Sequence, residues 1–305
     1  MRIVIALGGN ALLQRGETPS AEAQRRNARA AARAIADVAN EHEVVVTHGN
    51  GPQVGLLASQ AEADSIHWPL DVVGAESHGM IGYILAQELH NALGHDRIAS
   101  LLTQTEVDPD DPAFSCPEKF IGPVWDESRA RALAEERGWD IARDGDGDGD
   151  GWRRVVASPE PRKVLGVEAV RALVDGGSLA ICAGGGGVPV ARDDEGRLYG
   201  IEAVVDKDLT AARLALELGA DWLLMLTDVD GVYWNWGEPD ATRLKALLVS
   251  AVDPASFPAG SMGPKMEAAR RVADQGARAG IGALEDATAI IAGQAGTRIL
   301  PVGAG

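Results

Sequence analysis

Short apolar runs alternate with longer amphipathic stretches along this chain. Residues 3–7, 43–47, 98–102, 178–182 and 222–226 are nearly continuous in apolar side chains, the pattern of strands buried on both faces. Between them, 21–40, 72–93, 164–175, 209–218 and 262–275 carry apolar residues at helical spacing with polar residues opposite, as helices covering a sheet do. The alternation predicts an α/β fold: an open three-layer αβα sandwich around a largely parallel central sheet. One segment, 108–157, breaks the pattern. It opens with Asp108-Pro109-Asp110-Asp111-Pro112 and reads as an insertion protruding from the sheet. The Asp-Gly repeat that begins at Asp144 resembles a calcium loop, but counting from Asp144 puts Val155 at the twelfth position, where a bidentate Glu is required. A solvated hairpin tip is the expectation there.

Composition narrows the function. At 305 residues and 46 % apolar content the chain can bury a substantial core, and its net charge of −17 repels polyanions. Nucleic acid and anionic membrane surfaces are therefore poor partners. Cys116 and Cys182 form no CxxC pair, which suggests neither a zinc site nor a disulfide framework. The apolar start is too short for a secretory segment and no long apolar stretch follows, so a cytoplasmic protein is expected.

Loops that handle phosphate need free backbone N–H groups and no Cβ in the way, typically where a strand end leads into a helix. Four such places occur: Gly8-Gly9-Asn10, His48-Gly49-Asn50-Gly51-Pro52, Gly184-Gly185-Gly186-Gly187 and Gly260-Ser261-Met262-Gly263-Pro264-Lys265. In an open parallel sheet they converge on one crevice. GxxxxGK[ST], GxGxxG and HRD are all absent, which excludes P-loop and protein-kinase chemistry. All six histidines lie at or before His95 and no GxSxG occurs, so His-dependent acyl transfer is disfavoured; His48 is expected as a loop residue held by backbone contacts.

What remains is a phosphate-handling crevice with lysines, the combination that phosphoryl transfer requires. Of 28 basic residues only five are Lys. Lys265 follows a Gly-rich turn at a helix start, Lys207 opens another helix, and Lys119 lies in the insertion; Lys163 and Lys245 have no such setting. Asp208, beside Lys207, either holds two ammonium groups apart or caps the helix.

The motifs Ile5-Ala6-Leu7-Gly8-Gly9-Asn10-Ala11-Leu12, Thr47-His48-Gly49-Asn50-Gly51-Pro52-Gln53-Val54-Gly55 and Gly260-Ser261-Met262-Gly263-Pro264-Lys265 resemble the carbamate kinase family, and further motifs follow in the family's order over nearly the whole chain. The resemblance implies phosphoryl transfer between ATP and carbamate, giving ADP and carbamoyl phosphate, with Mg²⁺, run toward ATP in arginine fermentation. It implies a cytoplasmic homodimer with a lobe over 1–205 for carbamate or carbamoyl phosphate and for the dimer contact, a lid over about 108–157, and a nucleotide lobe over 206–305. Lys119, Lys207 and Lys265 would stabilise the transferring phosphoryl, with Asp208 organising the last two. Gly8, Gly9, Asn10, Gly49, Asn50, Gly51, Gly185 and Gly186 would line the acceptor and phosphoryl site. Thr227, Asp228, Tyr233, Met262 and Gly263 would surround the nucleotide, and Mg²⁺ would be held mainly by nucleotide phosphates. Glu76, His78 and Phe120 depart from the family's pattern; His78, with a possible charge near pH 6.5, suggests a pH-sensitive dimer helix, and Phe120 a looser lid. The alternatives are another amino-acid kinase, or a non-catalytic nucleotide-binding regulator on the same scaffold.

Overall fold

The computed structural model describes residues 1–9, 12–13, 17, 20–63, 68–144, 151–258 and 260–303, with side chains of 58–63 excluded. Asn10 and the Asp-Gly repeat at 145–150 lie outside the described residues.

Eight strands form the main sheet: β1 (Arg2–Leu7), β2 (Glu43–His48), β3 (Ile98–Ser100), β4 (Leu179–Ile181), β5 (Trp222–Thr227), β6 (Ala246–Leu248), β7 (Arg278–Ala283) and β8 (Thr297–Leu300). Their order is β6-β8-β7-β5-β1-β2-β4-β3, and every pairing is parallel except β7 with β8. Alternation along β1 accounts for the three layers. Ile3, Ile5 and Leu7 face α1 (Ala21–Ala39), α3 (Leu70–Leu93) and α8 (Ala287–Ala292), while Val4 and Ala6 face α5 (Val167–Asp175), α6 (Lys207–Leu218) and α7 (Met262–Asp274). Both sets are fully buried, and each large apolar side chain so placed contributes roughly 1.5–3 kcal/mol.

The expected strands and helices appear within a few residues of their sequence positions. β3 differs: as the edge strand it is only half-buried and Ser100 is exposed, so it is not covered on both faces. β7 was not foreseen because its Gly280 and Gly282 weaken the strand pattern. Both glycines are required by packing, since a Cβ at either would stand 2.7 Å from Ile290 of α8.

The 108–157 insertion folds as its own antiparallel sheet. Strand Lys119–Trp125 pairs with Gly151–Val156, which pairs with Asp140–Asp144, and α4 (Glu127–Arg137) covers it. Its apolar content is small, and guanidinium stacking supplements it: Arg154 lies 4.6 Å from the Trp139 ring centre and Arg131 lies 5.0 Å from that of Trp152. Phe120 packs beneath Arg153. Asp144 is buried and bridges Arg153 at 2.8 Å, so that end of the expected hairpin tip is not solvated. The insertion docks on α2 (Gly51–Ala63), where Ile121 and Val156 join Val54, Leu70 and Val73.

β1 is the switch point of the sheet. Strands β2, β4 and β3 lie to one side of it, and β5, β7, β8 and β6 to the other. The crevice beyond the carboxyl ends of β1 and its neighbours is where an open α/β sheet receives a ligand.

Candidate active site

The N-terminus of α6 is built around two carboxylates. Asp206 is its N-cap: Oδ1 accepts from the backbone N–H of Asp208 at 2.9 Å and of Leu209 at 3.2 Å. The capping alternative for Asp208 is thereby settled, since Asp208 lies in the first turn and turns inward. Its Oδ1 accepts from Lys207 Nζ at 2.5 Å and its Oδ2 from Lys265 Nζ at 2.9 Å. Lys265 comes from the first turn of α7, so one carboxylate joins two helix starts. Lys119, from the inserted sheet, completes the group by donating to Asp206 Oδ2 at 2.7 Å.

These charges occupy different depths. The side chains of Lys207 and Lys265 are 15 % and 14 % exposed, whereas Lys119 is 38 % exposed and stands at the mouth. Burial alone would push the Asp208 carboxyl up, but Lys207 and Lys265 outweigh it and hold it well below the usual carboxylate range. Burial likewise opposes ionisation of Asp206, and Lys119 overcomes it, so that carboxyl too is lowered. Burial, aided by the charge of Lys265, pulls the Lys207 ammonium below its ordinary value despite Asp208. Burial also works against Lys265, but Asp208 leaves it raised.

A cavity of about 480 Å³ opens over this group, lined by Gly8, Gly9, the three lysines, both carboxylates, Thr227, Asp228, Tyr233 and Met262. Ser261 of the Gly260–Lys265 turn also lines it, as do Trp236 and Phe257, which belong to no motif of the sequence. Nor did the sequence single out Asp206; an acidic residue before a helix reads as an ordinary cap. Gly263 does not line the cavity: its N–H is spent on Pro258 O at 2.9 Å. A larger open groove of about 1190 Å³ runs along the second halves of α6 and α7, but none of these lysines and none of the Gly-rich turns reaches it.

Behind the cavity the remaining glycines allow close approach. A Cβ on Gly49 would lie 2.8 Å from Gly9 N and 3.0 Å from its Cα, so the turn after β2 must be bare where it meets the turn after β1. Gly185 has φ +59° and packs against the Asn50 amide, while Gly186 packs on Val205 O. Thr47, Thr105 and Thr210 hydroxyls pin this turn through Ala183 O and Gly186 O at 2.7–3.1 Å. Asn50 is buried and donates to Ser77 Oγ at 2.8 Å, and Gly51 begins α2 at the surface.

His48 has the expected backbone contact, its Nδ1 lying 3.1 Å from Gly49 O, but it closes a strand instead of sitting in a loop; His78 departs from expectation. His48 ends β2 and is fully buried, and burial lowers its imidazole to about 4. His78 is buried on α3, and burial together with His48 brings it to about 3, so it carries no charge near pH 6.5. His78 therefore does not supply the pH-sensitive group expected on this helix. Glu76 is exposed.

Among the described residues no group of three or more His, Cys, Asp or Glu is arranged to hold a metal ion, and the two carboxylates deep in the crevice already engage ammonium groups. No described helix is long and apolar enough to cross a membrane.

The chain matches the amino acid kinase family over residues 1–281. It is 50 % identical to the carbamate kinase of Rhizobium meliloti over 305 aligned residues, covering 98 % of this chain and 93 % of the relative. It is also 50 % identical to the carbamate kinase of Haemophilus influenzae, covering 98 % and 96 %. The carbamate kinase from Giardia lamblia bound to AMP-PNP superposes with a TM-score of 0.88 at 37 % identity, covering 98 % of both chains. With that identity extending over nearly the whole length, the chain belongs to the carbamate kinase family of amino acid kinases.

Proposed function

We propose that this kinase transfers a phosphoryl group directly between carbamoyl phosphate and ADP, without a protein nucleophile, and that the Lys207–Asp208–Lys265 bridge carries the transition state. The supporting observation is the bridge itself: one buried carboxylate holds two ammonium groups 2.5 Å and 2.9 Å from its two oxygens at the wall of a crevice of about 480 Å³. A loose phosphoryl transition state spreads negative charge over its equatorial oxygens, and fixed ammonium donors stabilise it without reorganising. Asp208 keeps the lysines separated and protonated while leaving each with further N–H donors for the phosphoryl oxygens. Lys119 closes the site from the insertion. Gly8, Gly9 and Gly49, with Asn50 and Gly51, form the backbone cradle for the acceptor, with Gly185 and Gly186 supporting it from behind; Asn10 is assigned to the acceptor by its sequence motif alone. Thr227, Asp228, Tyr233 and Met262 hold the nucleotide, with Gly263 shaping the turn beside it.

Mg²⁺ fits this site as an ion held by nucleotide phosphates and water, a mode that needs no protein cage, and it would neutralise charge on the phosphates. Carbamoyl phosphate is a mixed anhydride, which favours net flow toward ATP, as an arginine-fermenting cell would use it. The working form is expected to be a cytoplasmic homodimer, in which the 1–205 lobe contributes the contact and the acceptor site and the 206–305 lobe the nucleotide site. A substrate panel tests the proposal. ATP should form from ADP with carbamoyl phosphate and Mg²⁺ far faster than with acetyl phosphate. N-acetylglutamate, glutamate, aspartate and UMP should not be phosphorylated by ATP. Preference for any of those acceptors would overturn it.

A further inference from the structure

The stretch 202–206 leads into α6 and ties the inserted sheet to the core at alternate positions. Glu202 accepts from Arg154 at 2.7 Å, Val204 N donates to Ala157 O at 3.0 Å while its side chain packs with Ile121 and Val156, and Asp206 accepts from Lys119. Asp206 differs from the other two because its two oxygens serve two elements. Oδ1 fixes the first turn of α6, and with it Lys207 and Asp208, while Oδ2 receives the Lys119 ammonium.

We propose that Asp206 is a positioning residue that aims Lys119 into the crevice and couples docking of the inserted sheet to the start of α6. The inference rests on the carbamate kinase reading above. An ammonium has three N–H donors; one given to Asp206 leaves two for phosphoryl oxygens, so the ion pair orients Lys119 without consuming its capacity. Without the pair, the side chain is a long flexible stem at the mouth of the cavity, and its rotamer freedom must be lost during each turnover. Asp206 does not itself touch the transferring group; its effect passes through Lys119.

The test is a double-mutant cycle. Asp206→Asn retains a side-chain oxygen for the cap but removes the charge opposite Lys119, and Asp206→Ser retains the cap without reaching Lys119. In both, kcat should fall about 10–100-fold, with the KM for ADP changed less than about threefold. Lys119→Ala should cost at least about tenfold less in the Asp206→Asn background than in the unsubstituted enzyme, because the two residues act as one unit. Amide hydrogen exchange, which needs no substrate, should rise about tenfold in strand Lys119–Trp125 of Asp206→Asn and stay unchanged in α6. Equal Lys119→Ala losses in the two backgrounds, or unchanged exchange in that strand, would overturn the inference. If the unsubstituted chain turns over no carbamoyl phosphate, the functional proposal fails separately, and exchange alone then decides whether Asp206 holds the inserted sheet.

Discussion

Asp208 Oδ2 lies 2.9 Å from Lys265 Nζ across 57 residues of sequence, and this contact makes one site of two helix starts. Removing the charge of Asp208 should leave two neighbouring buried ammonium groups repelling each other. Asp208→Asn is expected to lower kcat by about 10²–10³ while changing the KM for ADP little, because the bridge acts on the transition state. Steady-state kinetics in both substrates check this, and a KM increase with unchanged kcat would assign Asp208 to ground-state binding.

Lysine cannot be exchanged for arginine here. The Lys265 side chain is 14 % exposed and ends on a single carboxylate oxygen, a point-charge geometry that the wider planar guanidinium does not reproduce. Lys265→Arg should therefore recover less than about tenfold of the activity that Lys265→Ala loses. Activity near that of the unsubstituted enzyme would show that charge alone suffices.

His48 and His78 set the acid side of stability. Their imidazoles sit at about 4 and about 3 in the folded protein, below the ordinary 6.5. Between those values and 6.5 the unfolded chain binds protons that the folded chain does not, so stability is complete above pH 6.5 and falls as pH drops toward 4. Each histidine contributes a slope of about 1.4 kcal/mol per pH unit in that window. Denaturant midpoints from pH 7 to 4.5 should show the fall, and His78→Gln should flatten it. An unchanged slope in His78→Gln would show that His78 does not titrate as described.

Gly185 combines a positive φ of +59° with contact against the Asn50 amide. Gly185→Ala should destabilise the fold by about 1–3 kcal/mol through backbone strain, and it should also displace Asn50 and lower activity. Chemical denaturation and turnover together test it; loss of activity at unchanged stability would point to a direct ligand contact at Gly185.

The sequence made much of this architecture legible, for identifiable reasons. Strands such as β5 lie between two helix layers, so their side chains are apolar on both faces, and burial leaves a mark that needs no partner to be read. β7 left a weaker mark because Ile290 of α8 demands glycine there, a constraint imposed from outside the strand. Lys207 and Lys265 stood out in a chain with few lysines, each beside a helix start. Asp206 did not, since its cap role disguises its contact with Lys119, 87 residues away. His78 was misread because burial on α3 depends on which helix faces meet, which local spacing on a helix with many small residues does not determine.

The role of the Lys207–Asp208–Lys265 bridge is tested most directly by ATP formation from carbamoyl phosphate and ADP with Mg²⁺, measured for the unsubstituted enzyme beside a folded Lys265→Ala variant. Rapid turnover should fall by about 10²–10³ in the variant. Turnover that survives the substitution would contradict a transition state held by the Lys207–Asp208–Lys265 bridge.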